Sequence, residues 1–457
     1  MNWWLYSKQD EFKEDYPWLA VFILYVIVVV ICIAIRAVTW PGNKHVDFDF
    51  LIQSVIIPVV VVTFLVQALS LTYHGLRHYT ETRLLIAARQ EYNVVNYARR
   101  NIILAGWSLL TPPKATRELA LNMLKLEGEF PLAAKMPLKI ELDESFDFTR
   151  AGQAFISVLA PLVDKIALYR QLETLVWVRG GDEYCGDELR RVFQRLSITA
   201  EKITFLPECP DFTQITEWIE WAGTYVVHRL LIIVDLHPDE GESTWMENAT
   251  ALLLTNYYVE TEAAKPVYLY QPMTGVTDVE NKVPVYLRTA NVGKPRRLWY
   301  TGLSRTEKYP LLEVLDEKKV VLDKLELEMS LGESSAGYQW LMLALASDAV
   351  TYAQGDQLVA VSEQNKFSMT ALSSRLTSQP DYPMEKRYTT PWEVGGIAGL
   401  MLLLAIFLTC CSFGEEGEEI SGWLTILLFV ICIGFFLGMG AFFTWFYGDK
   451  AREHMGI

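Results

Sequence analysis

Four long apolar runs, two near each end of the chain, bracket a long polar segment, and no other feature restricts the fold so strongly. They cover Pro17 to Trp40, Phe50 to Tyr73, Pro391 to Phe413 and Ile420 to Tyr447. A helix rises about 1.5 Å per residue and the hydrocarbon core of a bilayer is about 30 Å thick, so each run is long enough to cross it. Arg36 sits near one end of the first run, where its stem lets the guanidinium reach the headgroups and avoid a cost of about 3 kcal/mol at mid-bilayer. The interiors of the runs carry no Asp, Glu or Lys, which leaves an ion or proton relay little to work with. Gly422, Gly434, Gly438 and Gly440 in the fourth run suit close helix packing better than a conduction path. Four transmembrane helices are predicted, serving as a mount.

Flanking charge sets their direction. Arg77, Arg83, Arg89, Arg99 and Arg100 follow the second run, Lys386 and Arg387 precede the third, and Lys450 and Arg452 follow the fourth. The loop between the first two runs has one lysine, Lys44, and the loop between the last two holds Glu415, Glu416, Glu418 and Glu419. Under the positive-inside rule both short loops face outward, so the termini and the polar segment are expected in the cytoplasm. The first run does not read as a cleavable signal peptide: Asp10, Glu11, Glu14 and Asp15 precede it and no small-residue cleavage pattern follows. Of six cysteines, only Cys185 and Cys209 lie outside the apolar runs, as suits a reducing compartment. A net charge of −15 argues against nucleic acid; the juxtamembrane arginines suit lipid headgroups and make the bilayer the first partner.

The chain divides into a cytoplasmic N-terminus (1–16), a first transmembrane hairpin (17–73), a stalk and connector (74–148), a cytoplasmic domain (149–390), a second hairpin (391–447) and a tail (448–457). Leu76, Tyr79, Leu84, Ala88, Tyr92, Val95 and Ile102 recur at helical spacing, which predicts a stalk helix to about Leu110, ended by Thr111–Pro113. From Thr149 onward amphipathic helices alternate with apolar strand-like runs, among them Thr174–Gly180, Lys202–Pro207, Leu230–Leu236, Ala249–Thr255 and Pro266–Pro272. A second series opens at Arg297–Gly302 and passes through helices at Tyr309–Leu315 and Ser334–Tyr352. It ends in Gln357–Glu363 and Phe367–Ser373, so the second half repeats the order of the first. This is the pattern of a layered α/β domain.

Two successive helix-strand-strand units, ending in ATALLLT and FSMTALS, resemble the duplicated halves of the thiolase and ketoacyl-synthase superfamily. WMENATALLLT is similar to the family's glycine- and alanine-rich strand. SLGESSAGYQWLMLALASDAV (Ser330 to Val350) is similar to its asparagine-isoleucine-glycine-histidine loop and following helix, with Gly332, Ala336 and Gly337 as the small residues. The resemblance implies a thiolase-like cytoplasmic domain of mixed sheets with helices in two similar halves, added to the four transmembrane helices.

It also implies a site to check. The family's condensing enzymes use a cysteine at a helix N-terminus, where the dipole favours thiolate, together with histidines. Cys209 is the one nucleophile candidate, flanked by Pro207, Glu208 and Pro210 in place of a small-residue elbow. Glu333 stands where the loop histidine belongs, and TGLSRTE (Thr301 to Glu307), the counterpart of the second histidine loop, has none. A carboxylate opposes a developing oxyanion. The resemblance therefore implies a pseudoenzyme, and its likeness to accessory proteins of type VI secretion effector clusters implies a bacterial inner-membrane protein that docks a cytoplasmic partner as effector adaptor or immunity protein. The alternative is a membrane-bound acyl-transfer enzyme using Cys209. Homo-oligomerisation is left open, and no cofactor is implied.

Other groupings carry less. His228, Asp235, His237, Asp239, Glu240 and Glu242 lack regular ligand spacing and read as an acidic loop, with no metal expected. RGGDEYCGDE (Arg179 to Glu188) has glycines between a strand and a helix, yet lacks the phosphate-loop lysine and carries acids. Trp218, Trp221, Trp299 and Trp340 read first as core and alternatively as an interaction patch.

Overall fold

The computed structural model describes residues 3–41, 46–112, 139–142, 147–181, 183–222, 226–238, 243–259, 265–289, 291–352, 354–363, 366–413 and 422–457. Most of the connector expected over 111–148, the outer-loop residues 42–45 and 414–421, and the acidic-loop residues 239–242 lie outside them. Two compact units emerge: one of Met1–Leu5 and Asn93–Asp381, the other of Tyr6–Tyr92 and Tyr382–Ile457.

The second unit holds the apolar helices. Helix α1 is Trp18–Thr39, and α2 is Phe48–Ala98 with a π-helical turn at Ile52–Ile56. Pro58 accounts for that turn: it has no N–H to offer the carbonyl four residues back, and the Ile57 N–H instead reaches the Ile52 carbonyl. Arg36 donates to Gln53 Oε1 across the hairpin and lies 5.3 Å from the Trp40 ring centroid. Tyr25 Oη donates to Thr63 Oγ1 at 2.7 Å between the same two helices.

The last two helices of the chain are Pro391–Phe413 and Gly422–His454. Glu393 stands in the first turn of the former, where its Oε2 accepts from the Thr390 N–H at 2.9 Å, a capping role at the mouth of the span. With α1 and α2 these make four helices long and apolar enough to cross a membrane. The last two cross at glycines: a Cβ on Gly395 would lie 2.4 Å from the Phe436 carbonyl oxygen, and one on Gly440 2.7 Å from the Pro391 carbonyl oxygen. A Cβ on Gly434 or Gly438 would meet nothing. Gly395→Leu is therefore expected to destabilise the helix pair by about 1–3 kcal/mol, or more, through overpacking. Gly438→Leu should change little. Unfolding of the detergent-solubilised chain in sodium dodecyl sulfate would separate the two, and equal losses would refute the crossing.

The first unit is a sheet with helices on both faces. In chain order its elements are β1 (Asn101–Leu110), α3 (Arg150–Leu159), β2 (Leu172–Val178), α4 (Glu183–Arg195), β3 (Lys202–Phe205), α5 (Thr213–Ala222), β4 (His228–Asp235), β5 (Asn248–Thr255), β6 (Val267–Tyr270) and β7 (Met273–Val276). Then follow α6 (Val279–Arg288), β8 (Pro295–Thr301), α7 (Arg305–Glu317), β9 (Asp323–Glu326), α8 (Tyr338–Thr351), β10 (Asp356–Glu363) and β11 (Lys366–Ser373). The two helices described above are α9 and α10.

The strands run in the order β3-β2-β4-β5-β1-β6-β11-β10-β8-β9. Within the first half β2 pairs in parallel with β3 and β4, and β5 is antiparallel to β4 and β1. In the second half β8 pairs in parallel with β9 and β10, and β11 is antiparallel to β10 and β6. The two halves thus have the same order and the same directions, joined where β1 pairs with β6.

Side-chain alternation produces the layers. Leu231 and Ile233 of β4 and Leu252 and Leu254 of β5 face a core shared with α5 and α8; Leu230, Ile232 and Val234 face a second core with α3 and α4. In the second half Val359 and Val361 of β10 join the shared core, and Leu358 and Ala360 face a third core with α6 and α7. Helices therefore lie outside each half-sheet and between them. Helix α8 is buried on nearly every side, as a helix apolar all round must be.

Three expectations need correction. The helical pattern expected through Leu110 ends at Ala98, and residues 101–110 form β1, whose pairing with β5 and β6 outweighs a spacing compatible with either structure. The helix expected from Ser334 begins at Tyr338, because residues 334–337 are held as a loop. Helix α6 and strand β9 were not expected; Pro284 inside α6 and the charged DKLE of β9 mask their patterns.

Candidate functional site

The ends of two equivalent strands define the site. Asp235 is the last residue of β4 and Glu363 the last of β10, the same position in each half. Asp235 is fully buried; its Oδ2 accepts from the Gly337 N–H at 2.9 Å and from Ser335 Oγ, and its two oxygens take the Arg179 guanidinium. Arg179 in turn lies 4.6 Å from the Trp245 ring centroid. The loop ahead of α8 is thereby pinned to the end of β4. Gly337 has to be glycine there, since a Cβ would lie 2.4 Å from Asn248 Oδ1 and 3.0 Å from Asp235. Gly332 has a φ of +86°, bridges to Trp245, and a Cβ on it would lie 3.0 Å from the Thr244 carbonyl oxygen.

Cys209 lies against this loop. Its thiol donates to the Ala336 carbonyl at 3.4 Å, and the Gln339 amide nitrogen is 3.9 Å from the sulfur. The same amide donates to Pro210 O at 2.9 Å and reaches Glu363 Oε2 at 3.4 Å, while Trp340 Nε1 donates to Pro210 O at 2.8 Å. The segments ahead of α5 and α8, equivalent in the two halves, therefore meet at the thiol. A cavity of about 370 Å³ lies beside it, lined by Glu208, Asp211, Gln214, Glu363 and Lys366 among others.

The electrostatics oppose a thiolate. Burial pushes the Cys209 thiol up, and the carboxylates of Glu363 and Asp235 push it further. Glu363 itself is raised by burial, with Asp211 and Glu208 adding to the effect. The helix dipole gives no help: α5 begins four residues later, and Asp211 Oδ1 accepts from the Thr213 N–H at 2.9 Å.

No described histidine serves as base here. His228 lies at the other end of β4, its Nδ1 2.8 Å from Thr255 Oγ1. His237 Nε2 is 2.6 Å from the Trp245 carbonyl, which can only accept, so Nε2 carries the proton; its backbone N–H donates to Glu247 Oε1 at 2.9 Å. Glu333 is exposed and accepts from Thr244 Oγ1 at 2.5 Å, away from the cavity lining. TGLSRTE starts a helix: Ser304 and Glu307 form a capping box for α7, and Gly302, at φ +68°, donates its N–H to Glu328 Oε1 at 2.5 Å.

Trp218, Trp299 and Trp340 are buried in the shared core, and Trp221 alone of the four is exposed, at 64%. Among the described residues no group of three or more His, Cys, Asp or Glu is arranged to hold a metal ion. In the Arg179–Glu188 segment, Arg179 is committed to Asp235. Reading the sequence missed Arg179, Asp235, Gln339 and Glu363 as a group. The available signal was an acid closing each of two matching apolar strands, LLIIVD and LVAVSE.

No family model matches the chain. No curated protein matches it either. Among solved structures, a chain of the AntDE:AntF complex, a type II polyketide-synthase acyl-carrier protein with its ketosynthase, matches with 13% identity and a TM-score of 0.46, covering 61% of this chain and 100% of that one. The ishigamide ketosynthase/chain length factor matches with 13% identity and a TM-score of 0.40 over 60% and 99%. OleA of Xanthomonas matches with 12% identity and a TM-score of 0.38 over 60% and 98%. These neighbours are thiolase-like and ketosynthase-like proteins at low identity. The chain's own geometry gives a mixed α/β fold of two similar half-sheets with helices outside and between them, and, among the described residues, four helices long and apolar enough to span a membrane.

Proposed function

We propose that this chain is a membrane-held docking protein whose thiolase-like domain no longer performs acyl condensation. The observation that carries the proposal is Cys209 packed against the Ala336 carbonyl with no described histidine beside it, where burial first and then the Glu363 and Asp235 carboxylates push its thiol up. A condensing nucleophile needs the opposite, a depressed thiol and a base within hydrogen-bond reach. On this reading the four helices anchor the chain in a bacterial inner membrane with the polar unit in the cytoplasm. The surface of that unit takes a protein partner. In its narrowest form the role is that of adaptor or immunity protein for a type VI secretion effector.

The test is chemical first. With iodoacetamide at pH 8, Cys209 in the full chain is expected to react at least about tenfold more slowly than an ordinary thiol, its rate rising with pH without levelling near pH 8.5. Cys209→Ala is expected to retain the partner recovered near stoichiometry from solubilised membranes. An acyl-thioester on Cys209 after incubation with acyl-coenzyme A would overturn the reading. That result would favour the second one, membrane-bound acyl transfer, for which the 370 Å³ cavity beside the thiol speaks. Effector co-purification tests the narrow form.

A further inference from the structure

The unit of apolar helices contains a cavity of about 640 Å³, larger than the one beside Cys209 and wholly separate from it. Its height is fixed by Gly75 and Tyr447: a Cβ on Gly75 would meet the Tyr447 ring at 2.2 Å, so α2 and α10 leave their apolar runs side by side at these residues. The cavity opens along the next turns, between α2 from His78 to Arg89, α10 from Thr444 to Arg452, and the segment Pro383–Tyr388, with Glu11 of the N-terminal segment also in its lining. Trp445, 63% exposed, is at its rim, a residue type at home at a membrane–water interface.

Its walls carry both charges. Arg89, Lys386 and Arg452 bring cations and His78 an imidazole; Glu11, Glu81, Glu385 and Asp449 bring carboxylates. One pair, Arg89 with Glu385 at 3.3 Å, has both side chains exposed and so holds little energy that a ligand must replace. Leu84, Leu85, Ile86, Ala88 and Met384 supply the apolar part of the wall. A pocket of this volume takes a small molecule, and apolar walls with charges of both signs at headgroup height suit a zwitterionic lipid better than a purely anionic one.

We propose that this cavity binds the headgroup of a phosphatidylethanolamine molecule. The phosphate has Lys386 and Arg452 as partners, and the primary ammonium, with three N–H donors, has Glu81 and Asp449. Phosphatidylcholine offers those carboxylates no N–H, and phosphatidylglycerol offers no cation.

Native mass spectrometry of the detergent-purified full chain, titrated with short-chain forms of the three lipids, tests this. A one-to-one phosphatidylethanolamine adduct is expected at least about tenfold more readily than either of the others. Glu81→Gln with Asp449→Asn should erase the preference over phosphatidylcholine, and Lys386→Ala with Arg452→Ala should weaken binding of all three. Equal adducts with the three lipids, or a preference that survives the Glu81/Asp449 change, would overturn the proposal. So would displacement by free phosphoethanolamine at matching concentration, which would assign the site to a soluble zwitterion. If a double variant fails to fold, the wild-type selectivity decides alone.

Discussion

Asp235→Ala is expected to cost the polar unit about 3–5 kcal/mol of unfolding free energy, the range for removing one partner of a buried ion pair. Asp235 is fully buried, so its removal returns no carboxylate to water and leaves a hole among donors. It strands the Gly337 N–H, the Ser335 hydroxyl and the Arg179 guanidinium together. Arg179 is partly exposed and recovers some hydration; the Gly337 N–H, which donates to Asp235 Oδ2 at 2.9 Å, loses that acceptor. Asp235→Asn keeps the size and one acceptor and should lose less. Asp187→Ala, which removes an exposed pair with Arg190, should stay within about 0.5 kcal/mol. Urea unfolding of the solubilised chain, followed by tryptophan fluorescence, ranks the three. Indistinguishable midpoints for Asp235→Ala and Asp187→Ala would show that the β4 end does not hold the loop.

The order of these effects explains what could be read from the residues alone. The apolar runs are local: length and hydropathy suffice, and all four emerge as helices. Strands β4 and β5 are equally plain, because LLIIVDL and ATALLLT have no polar face and can only lie inside. Strand β1 was not, since NIILAGWSLL follows a helical stretch without a breaker and becomes a strand only by pairing with two partners distant in sequence. Cys209 was legible as the candidate thiol, but its chemistry was not. Burial raises its proton affinity most, and the carboxylates that add to it come from positions 235 and 363, brought together only when the two halves close on α5 and α8. Glu333, which the resemblance puts at the loop histidine's position, accepts from Thr244 Oγ1, a contact no local pattern announces. Trp218, Trp299 and Trp340 could be core or contact surface until the layering was known.

Trp340→Ala is expected to cost about 3–5 kcal/mol, the range for a fully buried large aromatic truncated to alanine. Two effects combine. The indole fills the shared core between the half-sheets, with its ring centroid 5.8 Å from that of Phe212, and its Nε1 donates to Pro210 O at 2.8 Å. Trp340→Phe separates them, since it keeps most of the packing and leaves the Pro210 carbonyl to Gln339 Nε2, which already donates to it. Its cost should approach that of one buried hydrogen bond, about 1 kcal/mol, plus the volume lost. Because Pro210 adjoins Cys209, truncation should also loosen the segment that buries the thiol. Iodoacetamide labelling of Cys209 is then expected to quicken in Trp340→Ala and change little in Trp340→Phe. Loss of stability with no change in labelling would mean that the thiol is buried by the Ala336 side of the contact, independently of the anchor in α8.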